Sequence, residues 1–180
     1  AALALGIPLK DSAAVLAGVP HVQGRGEGIP TPGKDYTILI DYAHTPDSMV
    51  NVLRTVKEFA KGRTVAVFGC GGDRDRTKRP LMGKAAADWS DFAVVTTDNP
   101  RTEQPEAIIE EILPGFAGSA TPYQVVVDRV EAIHWAMDHA QKEDVIVLCG
   151  KGHETYQEIN HKKYHMDERE IVADYLKSGH

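Results

Sequence analysis

The chain has 180 residues, 42% of them hydrophobic and 26% charged, which is enough to bury one sizeable core with a piece of a second domain attached. Its formal charge of -6 argues against a general nucleic-acid or anionic-membrane surface, because both need a cationic footprint. No apolar run approaches the length of a membrane span and no tract is of low complexity, so the composition is that of a soluble globular protein.

Two cysteines, Cys70 and Cys149, are too few for a disulfide framework, and each follows a strand of an intracellular-looking pattern; they read as reduced thiols. The sequence opens at Ala1 with no basic n-region or apolar h-region, so it reads as a cytoplasmic fragment of something longer. Ala1 to Leu5 followed by Gly6 has the form of a last helical turn with its glycine cap, and Lys10 to Ala17 that of a short helix stopped by Gly18. Neither buries a face alone, which places a boundary near Val19-Pro20: residues 1–19 as the tail of a preceding domain, 20–180 as a domain of its own.

His21 to Pro32, rich in glycine and proline, reads as a linker passing into an irregular first strand. Gly28 to Lys34 has the G-x-x-x-x-G-K spacing of a phosphate loop but fails the test. Asp35 stands where a Ser or Thr should hold metal, and a strand follows where a helix is required. A hairpin is the better account. Tyr36 to Ile40 is then a strand, and Thr45 caps a helix with Pro46 at its first position and Met49, Val52, Leu53, Val56 and Phe59 on the buried side.

Thr64 to Phe68 is a strand leading to the glycine-rich loop Gly69 to Arg76, and Arg79 to Asp88 a helix. Phe92 to Thr97 is a strand, followed by a helix burying Ile108, Ile109 and Ile112. Tyr123 to Val127 makes another strand, Asp128 and Glu131 start the next helix, and Asp144 to Leu148 is the last clear strand. Tyr156 to Met166 holds a hairpin, and Asp167 with Glu170 caps a final helix. Strands alternating with helices imply an α/β fold: a mostly parallel sheet covered on both faces, with one antiparallel edge strand near the start.

In such a sheet four polar loops lie at one end: Asp41 to Asp47, Gly69 to Arg76, Asp98 to Arg101 and Gly150 to Glu154. They gather His44, Arg74, Asn99, Arg101, Glu154 and two glycine clusters at the rim where open α/β sheets bind ligands. Gly69-Cys70-Gly71-Gly72 lacks the third glycine of a dinucleotide fingerprint, which leaves a nicotinamide-binding domain as an outside alternative. Arg76, Lys78 and Arg79 read as a solvated helix start, whereas Arg74, nearest the glycine turn, can present a fork to a carboxylate or phosphate. His44 either stacks on a base or caps its loop. His153 has no second ligand at metal spacing, and His134 and His139 read as structural or solvated.

Gly24-Arg25-Gly26-Glu27, Asp41-Tyr42-Ala43-His44-Thr45-Pro46-Asp47, Gly69 to Asp75, Asp98-Asn99-Pro100-Arg101 and Gly150-Lys151-Gly152-His153-Glu154 resemble, in order, the motifs of the Mur ligases. The likeness runs from about Val19 to the C-terminus and is to the C-terminal domain of the members that add the third amino acid to UDP-MurNAc-L-Ala-D-Glu. It implies a Rossmann-like three-layer sandwich and an ATP-dependent, Mg2+-assisted ligase of peptidoglycan precursor synthesis that works through an acyl phosphate.

By the same resemblance Arg25 would reach the ATP phosphates, Asp41 would hold the ribose and His44 would lie near the nucleotide. Arg74, Asp98, Asn99, Pro100, Arg101, Gly150 and Glu154 would form the pocket for meso-diaminopimelate. No metal ligand is assigned to this chain; the phosphate loop, the magnesium ligands and most of the nucleotide-sugar site would lie on central and N-terminal domains of the same polypeptide, so the isolated chain is expected not to ligate. An Arg fork suits the extra carboxylate that separates diaminopimelate from lysine, while Asn99, Glu154 and the Gly150 carbonyl can accept from ammonium groups. Lysine or another amino acid as substrate, and a silent binding module without catalysis, are the alternatives.

Overall fold

Apolar strands alternating with amphipathic helices resolve into a six-stranded sheet in a computed structural model that describes residues 5–18 and 22–179, the side chains of residues 16 and 17 excepted. Helix α1 spans Leu9–Ala17 and leaves Leu9 and Val15 exposed. Most of the expected turn before Gly6, and the boundary near Val19-Pro20, lie outside the described residues; Gly6 itself takes a φ of 76°. Strands β1 (Glu27–Ile29) and β2 (Thr37–Asp41) form the expected antiparallel hairpin, with Gly28 opposite Leu39. Helix α2 (Pro46–Phe59) begins with the Thr45 side chain accepting from the Ser48 amide while the Ser48 hydroxyl oxygen accepts from the Thr45 amide, a reciprocal cap.

Strand β3 (Thr64–Phe68), α3 (Lys78–Trp89), β4 (Phe92–Val95) and α4 (Pro105–Ile112) follow, then a 3-10 turn at Leu113–Phe116. Next come β5 (Tyr123–Val125), α5 (Arg129–Asp138), β6 (Val145–Cys149), the hairpin of β7 (Tyr156–Ile159) and β8 (Lys162–His165), and α6 (Glu168–Lys177). The order across the sheet is β1-β2-β6-β3-β4-β5, with every pair parallel except β1 with β2. This is the α/β arrangement of three layers that the sequence implies.

Alternation along each strand divides the core in two. Ala66, Phe68, Ala93, Val95, Val147 and Cys149 face one layer, packed by Met49, Leu53 and Val56 of α2, Met82 and Ala86 of α3 and Ile112 of α4. Ile38, Ile40, Val65, Val67, Val94, Ile146 and Leu148 face the other, under Ile133 and Met137 of α5 and Val172 and Tyr175 of α6. Because β3 and β6 are buried along their whole length, they read as unbroken apolar runs, as central parallel strands do.

Two expectations need correction. Phe59 is 58% exposed although it continues the apolar period of α2: the helix ends there, with Ala60 as its C-cap in extended conformation, before the last turn can reach the sheet. Arg79, expected at a solvated helix start, is fully buried. Its guanidinium donates to both carboxylate oxygens of Glu103, at 2.8 and 2.9 Å, and to Glu111 at 2.8 Å. It thereby joins the start of α3 to α4 and the loop before it. The bonds lower the Glu103 carboxyl from its ordinary 4.5 to about 2, the Arg79 side chain contributing most.

Candidate functional site

The carboxyl ends of β2, β3, β4 and β6 meet in a cleft of about 310 Å³ whose wall takes residues from all four following loops. Tyr42, His44 and Thr45 come from the first loop, Gly71 and Arg74 from the second, Asp98, Asn99 and Arg101 from the third, and Gly150 and Glu154 from the fourth; Lys78 of α3 completes it. The rim predicted from the strand-loop pattern is therefore one physical site. Pro100 lies on a neighbouring cleft of about 340 Å³, with Arg101 shared by both.

Arg101 is held in the left-handed region, φ 52°, by the β7–β8 hairpin. Its amide donates to the Glu158 carbonyl at 3.0 Å, its carbonyl accepts from the Asn160 amide at 2.8 Å, and it forms an isolated parallel bridge with Ile159. The guanidinium donates from Nε to Glu158 Oε2 at 3.1 Å and from Nη1 to the Gly72 carbonyl at 2.8 Å. Gln157 Nε2 donates to the Asp98 carbonyl at 2.8 Å, so the hairpin braces the whole third loop. Arg74 is exposed, and among the described residues its guanidinium reaches only the neighbouring Asp73 carbonyl, from Nη1 at 3.1 Å. The two candidate forks therefore differ: one is fixed, the other lies at the mouth.

Beneath them runs a buried polar layer. Lys151 is fully buried, with its ammonium on Asn99 Oδ1 at 2.8 Å, Glu154 Oε2 at 3.2 Å and the Tyr156 carbonyl. Asn99 Oδ1 also accepts from the Glu158 amide, and Asn99 Nδ2 donates to Glu154 Oε2 at 2.9 Å. The Asn99 oxygen, read from the sequence as an ammonium acceptor, is thus already occupied within the chain, and the face it offers is an N–H. Burial lowers the pKa of Lys151, opposed by the nearby Asp98 and Glu154 carboxylates.

One layer further in, Arg129 and Glu168 form an ion pair closed to solvent, 2.8 Å apart. Arg129 also donates to the Thr97 carbonyl at 3.3 Å and the Cys149 carbonyl at 2.8 Å, clamping the ends of β4 and β6. Burial alone would lower its pKa, and Glu168, Asp98 and Cys149 together more than offset this, so the guanidinium stays charged.

Of the remaining predicted residues, His44 lines the cleft while Arg25 and Asp41 lie outside it. Arg25 sits over the Tyr42 ring, 5.0 Å from its centroid. Asp41 accepts from the Gly26 and Ala43 amides, both at 2.8 Å, one on each carboxylate oxygen. His44 packs 4.7 Å from the Tyr42 ring centroid, with Nδ1 on the Tyr42 carbonyl. Arg25 and Asp41 therefore form a second patch beside the cleft, with His44 and Tyr42 at the border.

Both cysteines are buried, and burial raises their pKa, Cys70 to about 12, so neither is a thiolate nucleophile. Among the described residues no group of three or more His, Cys, Asp or Glu side chains is placed to hold a metal ion.

Sequence reasoning passed over Tyr42, Lys151, Gln157 and Glu158, and Lys78, expected at a solvated helix start, is instead half-buried on the cleft wall with Nζ donating to the His44 carbonyl at 3.1 Å. Tyr42 and Lys151 stand inside the quoted motifs and were within reach. Gln157 and Glu158 were not, because their contacts with the third loop span more than 50 residues of sequence.

A mostly parallel α/β sheet with a charged, loop-built cleft at its carboxyl edge defines a ligand-binding domain of the open α/β class. The family model described as Mur ligase, glutamate ligase domain, matches residues 24–152, and the chain belongs to the Mur ligase family. It is 51% identical over 172 residues to a UDP-N-acetylmuramoyl-L-alanyl-D-glutamate–2,6-diaminopimelate ligase of Caldanaerobacter subterraneus subsp. tengcongensis, a match covering 96% of this chain and 35% of the relative. The ligase of the same name from Oceanobacillus iheyensis is 48% identical over 177 residues, with 98% and 36% covered. A solved structure of a 2,6-diaminopimelate ligase of this name superposes with a TM-score of 0.80 at 39% identity, covering 98% of this chain and 36% of that one. The fold extends to a UDP-N-acetylmuramate–alanine ligase from Thermotoga maritima, 20% identical with a TM-score of 0.65 and 98% of this chain covered against 34% of that one. The chain thus spans about a third of the length of these relatives.

Proposed function

We propose that this chain is the amino-acid-binding C-terminal domain of an ATP-dependent ligase that joins meso-diaminopimelate to UDP-MurNAc-L-Ala-D-Glu in the cytoplasm. The observation that carries the reading is the charge pattern of one cleft. Arg74 and Arg101 supply two guanidinium forks, while Asp98 and Glu154 supply carboxylates against them. A diamino dicarboxylic acid has this pattern in reverse, two carboxylates and two ammonium groups, and bidentate Arg–carboxylate pairing fixes its orientation.

The domain's own work is to bind and orient. Arg101, braced by Glu158 and the Gly72 carbonyl, receives the carboxylate that lysine lacks. Glu154, Asp98 and the Gly150 carbonyl accept from the ammonium at the same end, and the far amine is left to act as nucleophile. Asp41 has one amide on each carboxylate oxygen, which leaves acceptor capacity for a ribose hydroxyl. Arg25 at the adjacent surface suits a phosphate. ATP supplies the phosphoryl group that activates the acceptor carboxylate. The amine attacks the acyl carbon, the C–N bond forms and inorganic phosphate leaves with the electron pair of the broken C–O bond. Mg2+ and the phosphate loop belong in this reading to a central domain, and the nucleotide sugar mostly to an N-terminal one, so residues 20–180 by themselves fold and do not ligate.

The test is Arg101→Ala in the full-length protein, with incorporation of diaminopimelate and of lysine measured side by side. Loss of a desolvated charge partner costs about 2 to 5 kcal/mol, so diaminopimelate incorporation is expected to fall at least about thirtyfold in kcat/KM with lysine little changed. Unaltered preference for diaminopimelate would refute the assignment and leave lysine or another amino acid as the substrate.

A further inference from the structure

Lys151 is the one fully buried lysine among the described residues, and its surroundings are chemically complete. An ammonium has three N–H donors. All three have an acceptor, namely Asn99 Oδ1, Glu154 Oε2 and the Tyr156 carbonyl. Asn99 Oδ1 takes its second bond from the Glu158 amide, which uses both lone pairs of that oxygen. The amide can therefore sit only one way round, with Nδ2 outward and one of its two hydrogens on Glu154.

Both groups that bind Glu154 do so at Oε2, and among the described residues none bonds to Oε1. A carboxylate held at one oxygen by an ammonium and an amide has lost its rotational freedom. Its free oxygen has a set direction.

We propose that Lys151 is a positioning residue for the amino-acid cleft. It locks the Asn99 amide so that the remaining Nδ2 hydrogen faces a ligand carboxylate, and it turns Glu154 so that Oε1 meets the ligand's ammonium. One buried cation in this way gives the cleft a donor and an acceptor side by side, the two halves of a zwitterionic amino-acid group. The inference rests on the proposed role of the cleft and deepens it. Asp98, Arg129 and Glu168 supply the other charges around Lys151. The burial that lowers the lysine's pKa is countered by Asp98 and Glu154, which favour its charged form. A neutral amine in its place would keep the packing and lose most of the grip on Glu154.

A double-mutant cycle in the full-length protein separates positioning from bulk structure. Glu154→Gln, Lys151→Met and the double variant are compared for the KM of diaminopimelate, the KM of ATP and the melting temperature. Each single change is expected to raise the diaminopimelate KM at least about tenfold with the ATP KM within about twofold, and the double variant to be no worse than about the poorer single one. If Glu154→Gln leaves the diaminopimelate KM unchanged, the cleft reading itself fails. If Glu154→Gln acts as expected but the Lys151→Met effect multiplies in full on top of it, or raises both KM values alike, the positioning role is overturned and the cleft reading stands. Lys151→Gln, which keeps one donor for Asn99, serves where Lys151→Met does not fold. Failure of both to fold makes the lysine structural and overturns the proposal.

Discussion

Gly24 and Gly152 lie backbone against backbone: a Cβ on Gly24 would fall 2.3 Å from the Gly152 carbonyl carbon and 2.3 Å from the His153 nitrogen. The segment before β1 is thus seated on the loop that carries Glu154. Two further links tighten the junction. Arg169 donates to both oxygens of Glu27 and to the Gly152 carbonyl at 3.0 Å, and the Gly24 amide donates to Glu27 at 2.7 Å. A motion of this segment must therefore move or release the fourth loop of the cleft.

Gly24→Ala is expected to break that seat. Gly24 has a φ of 70°, costing about 1 kcal/mol for a residue with a side chain. The clash is with backbone, which cannot swing aside, and overpacking of this kind costs about 1 to 3 kcal/mol more. The expected outcome is a segment lifted from the loop, read as several-fold faster tryptic cleavage after Arg25 and a melting temperature lower by a few degrees. Cleavage and melting identical to the parent would show that the contact does not matter.

The Arg129–Glu168 pair predicts a rescue. Arg129→Met leaves a buried carboxylate uncompensated, at a cost of about 3 to 5 kcal/mol. Glu168→Gln added to it removes the stranded charge, so the double variant is expected to be more stable than Arg129→Met alone. Burial raises the Glu168 carboxyl. Without Arg129 opposing, the folded state holds its proton at a pH where the unfolded chain has lost it, and the Arg129→Met deficit therefore shrinks as pH falls through that window. Thermal melts of the parent and the two variants at several pH values check both statements. A double variant less stable than Arg129→Met would contradict them.

The parts legible in the sequence were those decided locally. Val65 to Phe68 and Val145 to Cys149 are apolar on both faces because helices cover the sheet twice, so their strands stand out as runs. Thr45 and Asp128 cap helices through bonds to residues three further on, and such bonds show as spacing. The convergence of four loops followed from parallel strands alone. Arg79 was illegible because its partners Glu103 and Glu111 stand 24 and 32 residues away, and a cation's burial depends on finding them. Asn99 lines the cleft, but with its nitrogen outward instead of the oxygen read from the sequence, since the amide is oriented by tertiary contacts with Lys151, Glu154 and the Glu158 amide.

Arg79 and Glu103 give a pH dependence of known sign. The folded pKa of Glu103, about 2, lies below its ordinary 4.5, so the stability it contributes is full above about pH 4.5 and is lost as pH falls toward 2. Arg79→Met removes the largest cause of that shift. The variant is expected to be less stable at pH 7 and to lose less further stability between pH 4.5 and 2 than the parent does. Urea midpoints across that range measure it, and parallel curves would exclude Arg79 as the cause.

Glu158 is the residue by which the hairpin aims Arg101. Its carboxylate takes Nε and the Gly72 carbonyl takes Nη1, while among the described residues no bond falls on Nη2. With both partners in place the guanidinium plane is fixed between the two clefts it borders. Glu158→Ala removes one of the two fixings and lets the fork turn toward either cleft. The pair is 16% and 23% exposed, so the expected stability change is small, about 1 kcal/mol or less. The effect should appear instead in selection: on the proposed reading of the cleft, the preference for diaminopimelate over lysine in the full-length protein is expected to drop about three- to tenfold through a higher diaminopimelate KM, with the lysine KM unmoved. Arg101→Ala in the Glu158→Ala background should then add less than it does in the parent, because the fork it deletes is no longer aimed. If Glu158→Ala leaves the preference intact, Gly72 and the backbone bridge to Ile159 are sufficient to hold Arg101, and the Glu158 carboxylate has no part in aiming it.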